Sequence, residues 1–116
     1  RLSRVLRARY VGPGDVIIRR DSPPKSVWFI ASGALEQETA GQTWRLGRGE
    51  MCGQLAILMA RPRKSHVRAI APSTLLELDE TRFVRLLKRS PKLRQAVRDS
   101  GQKRGLDLQA LLPEDG

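Results

Sequence analysis

Gly53-Gln54-Leu55-Ala56-Ile57-Leu58, followed three residues later by Pro62-Arg63-Lys64-Ser65-His66-Val67, is the stretch that decides the fold. A glycine opens a one-to-two-turn apolar helix, and a proline then fixes an arginine just ahead of a strand. The first turn of a helix carries free backbone N–H groups and a partial positive charge, which suits a phosphate. Arg63 can add a planar, two-pronged donor from the other side. The spacing matters because a single phosphate must be reached from both ends of one compact loop.

Outward from this cradle the chain alternates short strands and turns. Leu2, Val5 and Leu6 fall at helical spacing and predict a short N-terminal helix. Arg7 to Val11 reads as extended and stops at Gly12-Pro13-Gly14. Val16-Ile17-Ile18 is a β-branched strand, and Asp21-Ser22-Pro23-Pro24 is a loop that cannot continue a ladder. Ser26 to Ala31 is a second strong strand, broken at Ser32-Gly33. On it Phe29 is read as core, and Trp28 is left unassigned because neighbours on a strand face opposite ways. Ala34 to Thr39 and Gln42 to Leu46 form a hairpin around Ala40-Gly41. Beyond the cradle, His66 to Ile70 and Thr74 to Leu78 are strands. Asp79 is placed as the N-cap of a helix with Phe83, Leu86 and Leu87 on one side. Ser90-Pro91 starts a last amphipathic helix through Leu93, Ala96 and Val97, weakened by Gly101 and Gly105. Short strands with turns roughly every 8 to 12 residues argue for a mainly β fold, an eight-stranded β-roll or jelly roll. To it are added the N-terminal helix, the small cradle helix and two C-terminal helices.

The 116 residues suffice for one small domain. No run of 18 apolar residues is present, so no segment reads as a membrane-spanning helix. A single cysteine, Cys52, excludes an internal disulfide framework and reads as a small apolar residue, pointing to a reducing, cytoplasmic setting. One histidine, His66, is read as a strand residue and cannot by itself furnish the several ligands of a metal-dependent jelly-roll enzyme. The net charge of +10 points to nucleic acid, an anionic membrane surface or an acidic partner. Nine of the cations lie between Arg82 and Arg104 against the single acid Asp99, which reads first as a solvated helical face.

The span Leu6 to Val97 resembles the cyclic nucleotide-binding domain family, shared by cyclic-AMP receptor transcription factors, kinase regulatory subunits and gated channels. The matching segments are Val11-Gly12-Pro13-Gly14-Asp15-Val16-Ile17, Val27-Trp28-Phe29-Ile30-Ala31-Ser32-Gly33-Ala34-Leu35, Leu46-Gly47-Arg48-Gly49-Glu50, the cradle, and Leu75 to Leu87. Residues 1–105 are expected to form the domain, and 106–116, after the glycines that weaken the last helix, a flexible tail. The resemblance implies that Gly53 allows close approach to a ribose and that Gln54 takes the place of a ribose-binding glutamate. It implies further that Leu55 and Ala56 offer backbone N–H groups, that Arg63 pairs with the cyclic phosphate, and that Lys64 and Ser65 add contacts. The expected ligand is cyclic AMP or cyclic GMP, with neither a cofactor nor a metal. Cyclic AMP is favoured because a hydroxyl directly after the arginine accompanies guanine preference in the family, and Lys64 has none.

Three departures from the family pattern stand out, at Gln54, at Lys64 and at His66, the last where a threonine or asparagine is common. Gln54 can accept a hydrogen bond but without charge assistance, a loss of about 1 kcal/mol, or roughly fivefold in affinity. Lys64 adds positive charge, or crowds the site with its stem, where the family prefers a small residue. A purine needs a cover, and Leu93, Val97, Arg98 and Arg104 are the candidates.

The expected function is that of a non-enzymatic sensor whose C-terminal helices report occupancy to an attached effector. After Leu87 only some 29 residues remain, too few for a helix-turn-helix module. The effector expected is therefore a channel or transporter, with the domain on its cytosolic side and further copies of the chain in a full-length assembly. DNA ranks behind these as a partner. The alternatives are an orphan domain of the same fold used in assembly and the sensor half of a transcription factor.

Overall fold

In the computed structural model, which describes residues 6–113, eight strands form two four-stranded antiparallel sheets. The expected β-roll is present. The N-terminal helix was placed on residues 1–5 and Leu6, and so lies almost wholly outside the described residues. The strands are β1 (Arg7–Val11), β2 (Val16–Ile18), β3 (Ser26–Ser32), β4 (Ala34–Thr39), β5 (Gln42–Gly47), β6 (Met51–Cys52), β7 (His66–Ala69) and β8 (Ser73–Asp79). One sheet runs β1-β8-β3-β6 and the other β2-β7-β4-β5. A short helix, α1 (Gln54–Leu58), sits between β6 and β7, while α2 (Glu80–Arg89) and α3 (Pro91–Gln102) follow β8.

Strand β3 shows how the layers are divided. Trp28 and Ile30 join Leu35, Leu46, Cys52, Val67 and Leu75 in a cluster inside the roll. Val27 and the partly buried Phe29 face the other way, onto Phe83, Leu87, Leu93 and Val97 of the helices. The period of two is thus satisfied with both faces covered. Both aromatics are therefore packed, and Trp28, unassigned from sequence, is the more deeply buried of the pair. The two-residue strand β6 is too short for any propensity signal. It exists because Met51 and Cys52 pair with Phe29 and Trp28.

The helices begin where their caps place them. Asp79 accepts from the backbone N–H of Arg82 at 2.8 Å, and Ser90 accepts from that of Leu93 at 3.1 Å with Pro91 in the first turn. Arg94, buried among the apolar residues of α3, donates to the Leu87 carbonyl at the end of α2. One of the nine clustered cations is therefore part of the helix junction, and Arg104 turns towards the roll. The exposed stripe on α2 is Arg82, Arg85, Lys88 and Arg89.

The C-terminal segment differs from the loose tail expected after residue 105. Leu108 and Leu112 are buried in the helical cluster, joined by a 3-10 turn at Gln109–Leu111. Gly101 makes this possible, because a β-carbon there would lie 2.6 Å from Leu108 Cδ1. The glycine that weakens the helix is the seat on which the returning chain packs. We expect Leu108→Ala to lower unfolding free energy by about 2–4 kcal/mol, measured by urea denaturation of the whole chain. A loose tail would leave the midpoint unchanged.

Candidate functional site

The seven residues Gly53, Gln54, Leu55, Ala56, Arg63, Lys64 and Ser65 all line one cleft of about 260 Å³. The cleft lies between the cassette from Gly53 to Ser65 and the β4–β5 hairpin, and the C-terminal segment borders it. Gly53 is the hinge of the arrangement. Its φ of 95° lies in the left-handed region, and a β-carbon would stand 2.9 Å from the Ser26 carbonyl oxygen and 3.0 Å from Arg63 Nη1. α1 then starts at Gln54 with no side-chain cap, leaving the backbone N–H groups of its first turn without preceding helical carbonyls.

Arg63 is only 4% exposed. Its guanidinium donates to the Gly53 carbonyl and, at 2.6 Å, to the Ser26 carbonyl. It also lies 5.6 Å from the centre of the Trp28 ring. The cation thereby ties the far end of the cassette to its glycine end and to β3. Burial lowers its pKa from the ordinary arginine value, and it remains a cation in the neutral range. A guanidinium has five N–H donors, so the two carbonyl bonds leave others to face the cleft. Trp28 Nε1, by contrast, is a buried donor without a partner among the described residues.

Gln54 is 1% exposed. Its Nε2 donates to Ser100 Oγ of α3 at 3.0 Å, while Oε1 has no hydrogen-bond partner among the described residues. Lys64 is exposed at the rim. Ser65 belongs to a polar set that sequence reasoning overlooked: its Oγ lies 2.6 Å from Thr39 Oγ1 and accepts from Gln37 Nε2 at 3.0 Å. Gln37 Oε1 in turn accepts from Arg104 Nη2 at 3.2 Å. The signal for Gln37 and Thr39 was available, since period-two alternation puts them on the face of the buried Leu35.

Of the four proposed purine covers, Arg104 alone borders the cleft, with its guanidinium 5.7 Å from the Trp44 ring. Leu93 and Val97 are buried in the helical cluster, and Arg98 donates to Gln95 on α3. Leu106 adds an apolar edge to the cleft. Cys52 is buried inside the roll, and desolvation pushes its thiol to about 12 in spite of the Arg63 and Arg104 charges. His66 is a half-buried residue of β7. No three His, Cys, Asp or Glu side chains gather as a metal site among the described residues.

Residues 8–90 match the cyclic nucleotide-binding domain family. The chain belongs to that family. This cyclic nucleotide-binding domain is 32% identical over 101 residues to a cyclic nucleotide-gated potassium channel of Mesorhizobium japonicum, covering 87% of the chain and 28% of the channel. An HTH-type transcriptional regulator of Mycobacterium tuberculosis is 28% identical over 97 residues, which is 79% of the chain and 40% of the regulator. The chain thus spans well under half the length of either relative. Among solved structures, PKAR CBD2 bound to Sp-2Cl-cAMPS aligns with a TM-score of 0.75 at 21% identity, covering 95% of this chain and 79% of that one. That likeness shows the β-roll fold.

Gly53 and the buried Cys52 beside it give testable expectations. Gly53→Ala should destabilise the chain by about 1–3 kcal/mol, the cost of a left-handed non-glycine residue in a crowded position, read from a urea melt. Cys52 should resist iodoacetamide at pH 8 until the chain unfolds. Because its folded pKa of about 12 exceeds the ordinary 9.0, its contribution to stability is complete below pH 9 and declines as pH rises from there towards 12. Cys52→Ala should flatten that part of the stability-versus-pH curve.

Proposed function

We propose that this domain binds a cyclic nucleotide in the cassette cleft, cyclic AMP ahead of cyclic GMP, and conveys occupancy through its C-terminal helices without catalysing a reaction. The observation that carries this reading is the convergence of Gly53 to Ala56 and Arg63 to Ser65 on one cleft, bordered by Arg104 from the C-terminal segment. Arg63 and the first-turn N–H groups of α1 supply donors for a cyclic phosphate monoanion. Lys64 and Ser65 stand at the next positions around it. Gln54 offers an amide oxygen to the ribose, and Arg104 beside Trp44 covers the base. Lys64, which lacks a hydroxyl, supports the preference for adenine.

The ligand acts by binding the closed arrangement more tightly than the open one. The match to a cyclic nucleotide-gated potassium channel supports an effector of the channel or transporter type, with the domain on its cytosolic side and several copies in the assembly. Among the described residues no helix is long and apolar enough to cross a membrane, so such an effector would lie in another part of a longer protein. The match to an HTH-type transcriptional regulator supports the sensor half of a transcription factor as the second effector class. We assign the segment through the buried Leu112 to the folded unit, in place of a boundary at residue 105.

A second reading, an assembly domain of this fold without a ligand, draws on one observation. Arg63 already bonds two backbone carbonyls, so its burial is satisfied without a phosphate. Calorimetry with cyclic AMP and cyclic GMP separates the two. Cyclic AMP should bind with measurable heat, and Arg63→Lys should weaken it tenfold or more, on the order of the 1.5–3 kcal/mol of a charged hydrogen bond. Absence of heat and of any thermal shift at millimolar nucleotide would establish the second reading.

A further inference from the structure

Gln54 carries two groups that face different parts of the molecule. Its amide nitrogen donates to Ser100 Oγ on α3 at 3.0 Å. Its amide oxygen is buried without a partner among the described residues, and the residue lines the cleft. A buried acceptor left unpaired is costly, so the site is built for a donor that arrives from the cleft.

The state of Ser100 decides which residue can stand opposite it. Ser100 Oγ lies 2.8 Å from the Val97 carbonyl and donates its only proton there. Towards residue 54 it presents lone pairs alone. A glutamate at 54 would compete with the Val97 carbonyl for that one proton, whereas the glutamine amide supplies an N–H and leaves the Ser100–Val97 bond in place. Glutamine at this position is therefore a gained donor as well as a lost charge.

We propose that Gln54 is a positioning residue that relays ligand occupancy to α3: a ligand hydroxyl donates to Gln54 Oε1, and Gln54 Nε2 holds Ser100. Donation to the oxygen of an amide polarises it and strengthens the bond made by its N–H, as in any hydrogen-bonded chain. Occupancy thereby tightens α3 against the cassette. This inference rests on the nucleotide-binding reading, with the ribose 2′-hydroxyl as the donor. The coupling to Ser100 is a separate claim and is tested separately.

The test is amide hydrogen–deuterium exchange over residues 97–104 of the whole chain, with calorimetry on the same samples. Saturating cyclic AMP slows exchange there by about fivefold, the equivalent of one net neutral hydrogen bond. Saturating 2′-deoxy cyclic AMP binds more weakly and leaves most of that slowing absent. Ser100→Ala removes the difference between the two nucleotides, Ser100→Thr restores it, and Gln54→Glu speeds exchange in the nucleotide-free chain. Equal slowing by both nucleotides in the unmodified chain overturns the relay while leaving the binding reading intact. A difference that persists in Ser100→Ala does the same. No heat with either nucleotide overturns the binding reading, and the relay falls with it. Should Ser100→Ala fail to fold, the comparison of the two nucleotides on the unmodified chain decides the matter.

Discussion

The rest of the structure depends on a buried cation. Arg63 sits at 4% exposure with its charge facing the carbonyls of Gly53 and Ser26 and the ring of Trp28. Removing a guanidinium from water is costly, and the cost is met here by two charge-assisted hydrogen bonds and an aromatic face. Those bonds join three segments distant in sequence: the end of the cassette, its beginning, and the central strand β3. Without them the chain from Gly53 to Arg63 would be a surface loop with a short helix of marginal stability. With them it is a rigid rim around a cleft, held from inside.

The same economy of contacts extends to the C-terminal segment. Polar bridges cross from the roll to the residues that follow α2, the exposed Lys103–Glu50 ion pair at 3.4 Å among them. Gln54 holds Ser100, and Gln37 receives Arg104 while donating to Ser65. Both glutamines are buried; Gln37 uses both ends of its amide, while Gln54 uses its nitrogen and leaves its oxygen without a partner among the described residues. Beneath these bridges, Leu108 returns onto Gly101 and anchors the chain beyond α3. The cleft and the helices are consequently one mechanical unit, in which a change at the cassette meets α3 directly.

Much of this was legible in the sequence because it rests on local rules. Asp79 and Ser90-Pro91 announce helix starts through capping chemistry that acts over three or four residues. The strand boundaries follow from β-branched runs and from glycine and proline turns. In the cradle, residue types and spacing point to a phosphate between a helix start and Arg63, while the roles expected of Gln54, Lys64 and Ser65 come from the family resemblance. Other features left no local trace. Strand β6 is two residues long and exists through its partner. For Gln37 and Thr39 the alternation with Leu35 marks the inward face, but their bonds to Ser65 and Arg104 exist only once the roll has closed. Leu108 and Leu112 occur in a polar, glycine-flanked stretch whose composition suggests a tail, and it takes the space above Gly101 to bury them.

By itself the sequence determined every strand but β6, the three helices, their order and the β-roll class, since periodicity, caps and turns act between near neighbours. It also determined that residue 54 is an amide. What that amide does was decided only by tertiary structure. A hydrogen bond 46 positions along the chain makes it the partner of Ser100, and the closing of the roll leaves its oxygen buried at the cleft. Likewise an arginine following a proline is a generic surface residue until folding places two carbonyls and an indole around it. Long-range contacts have no signature in local sequence, because their geometry is set by the packing of elements that are far apart in the chain.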